Sequence, residues 1–457
     1  MGHPDGRLTF FEALNKSILK LAIPSIITNI TVPLLSSVDT ALMGHLESSY
    51  YLGGVAVGSM IFNFLFWGFG FLRMGTTGLT AQAFGAKDDT ESILTFSRAM
   101  VVGVAGGVAI LLLQTVISFV AFQLVTTSSE VKEQAQIYYS IRIWSAPAVL
   151  MIYAIQGWFL GMQNARYPMI LAIFINATTI ILDITFLKVF HMRTAGVAIG
   201  TLIANYAGLI LGAFLFYKKY RNYAQAFVRR RLFEIKAFRR FLNVNRDIFL
   251  RTLLLIVAYS FFTAKSAESG DTVLAANSIL LQMWMILAYG IDGFAYAAES
   301  LVGRFIGAKD PHSLKRAVWK LFYWGMGLSV LVTLVYLAFG ENIVRLFTDK
   351  SDVVATAMLF FVWTILAPVI NAVCFIWDGV YIGATQTKSM LISMALATLV
   401  FYLPLYYATR GALGNHALWL GMSAFMTIRG ITLTLYAKKA IFQQRRSQME
   451  PLSSPIC

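Results

Sequence analysis

Twelve stretches of this 457-residue chain are continuously apolar, and the polar positions gather almost entirely between them. They run at roughly 17–43, 52–80, 95–125, 137–162, 168–190, 195–217, 248–268, 274–303, 317–339, 357–384, 389–407 and 414–437. Each is rich in Leu, Ile, Val and Ala, shows no two-residue alternation, and reaches the about 20 residues a helix needs to cross hydrocarbon. The pattern predicts twelve transmembrane helices, six in each half. A closed barrel would instead show alternating segments of about 10 residues. The first 16 residues are polar, and the apolar run after them is too long for a signal core and lacks a small-residue cleavage site. The first span is therefore expected to stay.

The two halves repeat. Ala81–Asp88 (AQAFGAKD) returns as Gly303–Asp310 (GRFIGAKD), 222 positions later. At the same offset Leu52–Val57 falls on Leu274–Ile279, and Gly157 and Gly161, four apart, fall on Gly379 and Gly383. Internal repeats of apolar spans are a common way of building membrane transporters, whose substrate and ion sites lie near the bilayer midplane. The expected organisation is an N-lobe over 1–217, a basic cytoplasmic linker over 218–247, a C-lobe over 248–440 and a cytoplasmic tail over 441–457.

Composition adds the environment. Apolar residues make up 58% of the chain and charged residues 13%, too greasy a surface for a water-borne domain. The net charge of +15 raises the question of nucleic acid, and its placement answers it. Basic residues concentrate in alternate loops: Arg7, Lys16 and Lys20 before span 1, Lys87 after span 2, Arg166 after span 4, a dense run from Lys218 to Arg246, then Arg304 and Lys309, Lys388, and Lys438 to Arg446. This is the positive-inside distribution. It puts both termini in the cytoplasm and lays the basic linker along anionic lipid headgroups, with no nucleic-acid partner. Cys374 and Cys457 offer neither a disulfide framework nor a paired metal motif.

Carboxylates inside the spans carry the candidate chemistry, because a charge at the bilayer centre costs about 2.5–3.5 kcal/mol even on the lenient scale. Asp39 sits towards the far end of span 1, after Pro24 and Pro33. Each proline removes a backbone hydrogen bond and makes that helix easy to bend. Asp183 lies in span 5 with Thr179 four and Asn176 seven residues before it, all on one helical face. Thr201 opens span 6. Carboxylate, hydroxyl and amide oxygens of this kind hold a proton network or a small cation, unless the two acids merely reach aqueous vestibules at helix ends. In the second half Asp292 and Glu299 share a face of span 8, and Asp378 lies on span 10. Glu299 is near enough to the boundary to pair with Arg304, and Arg73 either snorkels or balances one of the acids. His45, His191 and His416 fall near span ends and read as interfacial. There is no zinc-protease pair, nucleophile elbow or phosphate loop, so the chain is expected to be no enzyme and no ATP-driven pump. An ion gradient is the remaining energy source.

Several ordered motifs together resemble the multidrug and toxic compound extrusion (MATE) family, in its DinF-like bacterial branch. They are NITVPLLSSVDTALMGHL (Asn29–Leu46), YLGGVAVG (Tyr51–Gly58), LRMGTTGLTAQAFGAKD (Leu72–Asp88), NRDIFLRTLLL (Asn245–Leu255), DGFAYAAE (Asp292–Glu299) and GNHALWL (Gly414–Leu420). The resemblance runs from about Leu14 to Lys439. It implies an all-α membrane protein of twelve helices in two six-helix lobes related by a pseudo-twofold axis, around a central cleft. It further implies export of diverse, often cationic drug-like molecules in exchange for protons or sodium ions, by a monomer with no cofactor beyond the coupling ion, in the bacterial inner membrane. By the same resemblance Asp39, Asp183 and Thr201 correspond to the N-lobe polar network, and Pro24 to the proline where the first helix bends. Two departures lean towards protons. Thr179 stands where many relatives carry Asn, and an apolar run around Leu253–Val257 stands where sodium-coupled relatives of the NorM branch place a glutamate, leaving Asp378 without that partner. Sodium-coupled antiport and the flipping of lipid or lipid-linked precursors are the alternatives.

Overall fold

The computed structural model describes residues 5–44, 48–125 and 127–443, and among them every regular element is helical. The chain divides into two compact units, Met1–Phe249 and Leu250–Cys457. The first holds α1 (Asp5–Gly44), α2 (Ser49–Gly68), α3 (Phe71–Gly85), α4 (Asp89–Leu112), α5 (Gln114–Leu124), α6 (Ser129–Arg142), α7 (Ala146–Gly161), α8 (Arg166–Lys188), α9 (Arg193–Ala224), the short α10 (Arg229–Leu232) and the start of α11 (Ile235–Glu268). The second holds the rest of α11, then α12 (Asp271–Gly307), α13 (Pro311–Phe347), α14 (Ser351–Gly383), α15 (Thr387–Ala395), a π-helical stretch (Leu396–Tyr402), α16 (Leu403–Leu413) and α17 (His416–Ala437). Eleven helical runs among the described residues are long and apolar enough to cross a membrane. They correspond to predicted spans 2–12, and the first span lies within the 40-residue α1.

Each helix satisfies its own backbone groups in lipid, and the side chains sort accordingly. Leu112, Leu124, Ile210, Leu359 and Leu435 stand exposed on the outside, where the solvent is hydrocarbon. Phe62, Trp158 and Phe159 in the first unit, and Trp284, Trp419 and Phe425 in the second, are buried between helices. In the second unit a polar knot ties α11, α12 and α17 together. Asn277 donates to Ser266 Oγ and to Asn415 Oδ1, both at 2.8 Å, and accepts from Trp419 Nε1 at 2.9 Å. His416, expected at an interface, accepts from Trp363 Nε1 at 3.1 Å.

The sequence repeat is also a repeat of contacts inside each unit. A Cβ on Gly157 would run into the Arg73 carbonyl oxygen, and one on Gly379 into that of Ala295. One turn on, a Cβ on Gly161 would stand 2.9 Å from the Thr77 oxygen and one on Gly383 2.6 Å from the Glu299 oxygen. Both partners of each pair shift by the same 222 positions, so α7 lies against α3 as α14 lies against α12. Absent side chains at these glycines let the backbones touch, the usual device of helix packing in membranes.

Helix ends repeat too. Lys87 and Lys309 hold left-handed φ of 56° and 54°, as do Gln163 and Thr385 at 60° and 54°. Each closes its helix by donation from the following residue to a carbonyl five positions back, Asp88 to Ala83 and Asp310 to Phe305 at 3.0 Å, Asn164 to Phe159 at 2.9 Å and Gln386 to Tyr381 at 3.0 Å. Asp88 then caps α4 by accepting from Glu91 N at 2.8 Å, and Asp310 caps α13 from Ser313 N at 3.0 Å.

The basic linker is anchored rather than simply laid out on a surface. Arg98 of α4, 1% exposed, pairs with Glu91 at 2.7 Å and donates to the carbonyls of Arg231 and Leu232 at 3.0 Å. The carbonyl end of α10 thus meets a buried cation, the favourable sign for a helix C-terminus.

Candidate functional site: two polar clusters within the spans

In the first unit the polar cluster is built on α8. Asp183 is fully buried, and Thr179, one turn earlier, is 1% exposed. Thr179 Oγ1 donates to Ile175 O at 2.9 Å, which occupies its proton and leaves its lone pairs as acceptors. Gly200 of α9 makes the space for the acid: a Cβ there would collide with Asp183 Oδ1. Thr201 follows immediately, half-buried, with its carbonyl accepting from Asn205 Nδ2 at 2.7 Å. Asn176, on the same face of α8, donates from Nδ2 to Thr31 O of α1 at 3.2 Å. That bond lands between the two prolines.

Pro24 and Pro33 both lie inside α1. Around them hydroxyls take up backbone carbonyls: Ser25 Oγ donates to Leu21 O at 2.8 Å, Thr28 Oγ1 to Pro24 O at 2.9 Å and Thr31 Oγ1 to Thr28 O at 2.7 Å. The backbone of Asp39 belongs to α1, five residues before its end as Asp183 is five before the end of α8. Its side chain lies outside the described residues.

In the second unit the cluster is ionic. Asp378 on α14 accepts from Arg251 Nη2 of α11 and from Arg429 Nη2 of α17, the latter at 2.5 Å, and both bonds end on the same oxygen, Oδ2. Arg429 also meets Met426 Sδ at 3.3 Å and lies 5.1 Å from the centroid of the Phe425 ring. Asn371 and Cys374, on the same face of α14 as Asp378, are buried at 1% and 0% exposure. Of the other acids expected here, Asp292 of α12 is half-buried and Glu299 is 1% exposed. Among the described residues no group of three His, Cys, Asp or Glu side chains forms a metal site.

The MatE family model matches this chain twice, over residues 24–185 and again over 248–408, one match to each half. The chain belongs to the MATE family. It is 40% identical to the DNA damage-inducible protein F of Escherichia coli K12, over 93% of this chain and 92% of that one. It is 23% identical to the probable multidrug resistance protein NorM of Acinetobacter baylyi, over 92% and 95%. In fold it superposes on a crystal structure of the Vibrio cholerae MATE transporter VcmN in the bent form with a TM-score of 0.82 at 21% identity, covering 94% of this chain and 98% of that one. A MATE chain is a multi-pass membrane transporter and not an enzyme.

Set against the sequence-based expectations for this MATE chain, the structure places Asp183, Thr179 and Asn176 on one face of α8, with Gly200 of α9 against the acid and Thr201 half-buried at the next position. Asp378 is the informative case. Its NorM-type partner was expected to be missing, and the partners that it has are the arginines Arg251 and Arg429. Neither arginine was singled out from the sequence, nor was Arg98. The signal was available, since Arg251 and Arg429 lie inside apolar spans and the cost that marks a buried carboxylate marks a buried guanidinium equally.

Proposed function

We propose that this MATE chain is a secondary active exporter of amphipathic, often cationic compounds, driven by protons entering in exchange, with a cleft that opens alternately to the two sides of a bacterial inner membrane. The observation that carries this reading is Asp183, a carboxylate with no exposure, in a niche that Gly200 keeps open. A charge there costs a few kcal/mol that protonation removes. An acid whose two charge states differ so much in energy is a lever on conformation, provided the two facing states hold its proton with different affinity. Asn176 supplies the linkage, because it joins the helix of Asp183 to α1 between Pro24 and Pro33. Neutralising the N-lobe cluster, Asp39 included, then favours rebending of α1 and release of the exported compound. Thr179, in place of an amide oxygen, favours protons over sodium as the coupling ion.

The test is transport in proteoliposomes with ethidium as the probe. An imposed pH gradient drives efflux by the unaltered protein, and Asp183→Asn or Asp39→Asn abolishes it while the purified variant keeps its size-exclusion profile. Undiminished efflux by Asp183→Asn removes that residue from the mechanism. Efflux driven by a sodium gradient at fixed pH, but not by a pH gradient, replaces the proton with sodium.

A further inference from the structure

A recess of about 120 Å³ opens in the first unit at the turn between α7 and α8, lined by Lys20 of α1, the turn from Met162 to Arg166, and Lys219 of α9. Its charged side chains, Lys20, Arg166 and Lys219, are all cations, come from three helices and are exposed. Among the described residues none of them pairs with a carboxylate, whereas Arg98, Arg231 and Arg246 of the same unit do. The acids nearby do not balance them. Asp89 acts on Tyr223, one turn beyond Lys219; Glu12 lies two turns before Lys20, with Lys16 between them; Asp88 caps α4 and Glu91 holds Arg98. Setting the whole charge of Asp89 against the three cations still leaves the recess positive. Lys219 is also held in place, its Nζ 5.4 Å from the ring centroids of both Tyr167 and Tyr220, and Tyr220 accepts from Asn164 Nδ2 at 3.0 Å. The turn further delivers the positive end of the 23-residue α8, whose Ala165 N-cap makes no side-chain bond. The second half supplies an internal control. At the 222-residue offset the turn recurs, with Thr385 in the left-handed conformation of Gln163, but Lys20, Arg166 and Lys219 fall on Leu242, Lys388 and Ile441. Folding this turn therefore does not require the three cations.

We propose that this recess is a binding site for the phosphate headgroup of an anionic phospholipid. Its size suits a phosphate group and not a drug-sized ligand, whose pockets begin near about 300 Å³. It stands at the ends of apolar runs, on the side of the membrane that carries the basic loops, where basic pockets between spans take lipid headgroups. Ile23 and Ile27, one and two turns inward from Lys20, and Ile170 and Phe174, one and two turns inward from Arg166, are exposed and give the acyl chains an apolar bed. Arg166 supplies paired donors to the phosphate oxygens, and the two lysines act as point charges. Seated there, the headgroup joins α1 to α8 and α9 four residues before Pro24. Its bearing on the bending of α1 rests on the export reading, whereas the binding itself does not.

The test is equilibrium binding without any gradient, so its failure and that of the export reading are distinct. The purified full chain is titrated, with native mass spectrometry as the readout, against phosphatidylglycerol, phosphatidylcholine of the same chains, and glycerol 1-phosphate. One phosphatidylglycerol is expected to bind at least about tenfold more tightly than phosphatidylcholine, as several basic residues beside one anionic headgroup imply. Arg166→Gln and Lys219→Gln each weaken phosphatidylglycerol about fivefold, the worth of one such residue, and leave phosphatidylcholine unchanged. Arg166→Gln keeps the lipid-free thermal midpoint, because no ion pair is lost, and Lys219→Arg keeps the affinity. Lys218→Gln removes the same charge one position away, outside the recess, and is expected to have no effect. Equal binding of the two lipids by the unaltered protein overturns the proposal. So does a loss in Lys218→Gln equal to that in Lys219→Gln, which makes the attraction a diffuse field of the basic loops. Glycerol 1-phosphate binding as tightly as phosphatidylglycerol overturns it as well, since the occupant is then a soluble phosphate.

Discussion

Single atoms at the helix crossings decide whether the lobes assemble. Gly379 faces the Ala295 carbonyl oxygen so closely that a methyl group has nowhere to go, and the obstacle is backbone rather than a side chain able to turn away. Gly379→Ala is expected to push α14 off α12 and to lower stability by roughly 1–3 kcal/mol, the usual cost of overpacking, seen as a lower thermal midpoint in detergent. Gly327 of α13 has nothing within 4 Å of its would-be Cβ. There the same change is expected to be neutral or to stabilise by about 0.5–1 kcal/mol, since alanine forms helix better than glycine. Equal effects at both positions would show that propensity rather than packing governs these glycines. This part of the structure was legible beforehand as four glycines at one offset; what they touch was not.

At the level of whole elements, each helix entered from a loop needs its first N–H groups satisfied, and the two Asp caps do so in equivalent places. The Ser313 hydroxyl first, and the Ser313 backbone N–H after it, hold the Asp310 carboxyl below the usual carboxylate range. A depressed value in the folded protein means that the stabilisation is fully present above the ordinary carboxylate pKa of about 4 and is lost as pH falls through the lower folded value. Asp310→Ala is expected to cost about 1 kcal/mol at neutral pH, and Asp310→Asn, which keeps an acceptor without the charge, less. The difference between Asp310 and Asp310→Asn should vanish in thermal melts taken well below pH 4. A difference that persists there would place the effect in packing rather than charge.

Across the whole molecule, the apolar runs determine how often the chain crosses the bilayer, and the basic loops are expected to determine which way. In a Cys457→Ser background, Lys236→Cys should react with an impermeant maleimide in inside-out vesicles and stay unlabelled in intact cells, because α11 begins in the basic, exposed linker. Cys374, with no exposed surface, should stay unlabelled in both. Labelling of Lys236→Cys from outside the cell would invert the orientation and with it the direction assigned to proton entry.

The one-dimensional sequence by itself determined the all-helical class, the twelve apolar segments, the duplication and the family. Lipid makes those properties local: a helix satisfies its own backbone, so a long apolar run suffices to announce it. It also marked Asp183, Thr179 and Asn176 as neighbours, because helical spacing alone puts them on one face. Only the tertiary structure decided what lies across from that face, with Gly200 making room for the acid and Asn176 reaching α1. It alone joined Arg251 to Asp378 over 127 positions and Arg429 to Asp378 over 51. A charge within a span declares itself by its cost, but its partner depends on how helices distant in sequence turn and pack, and no periodicity along the chain encodes that.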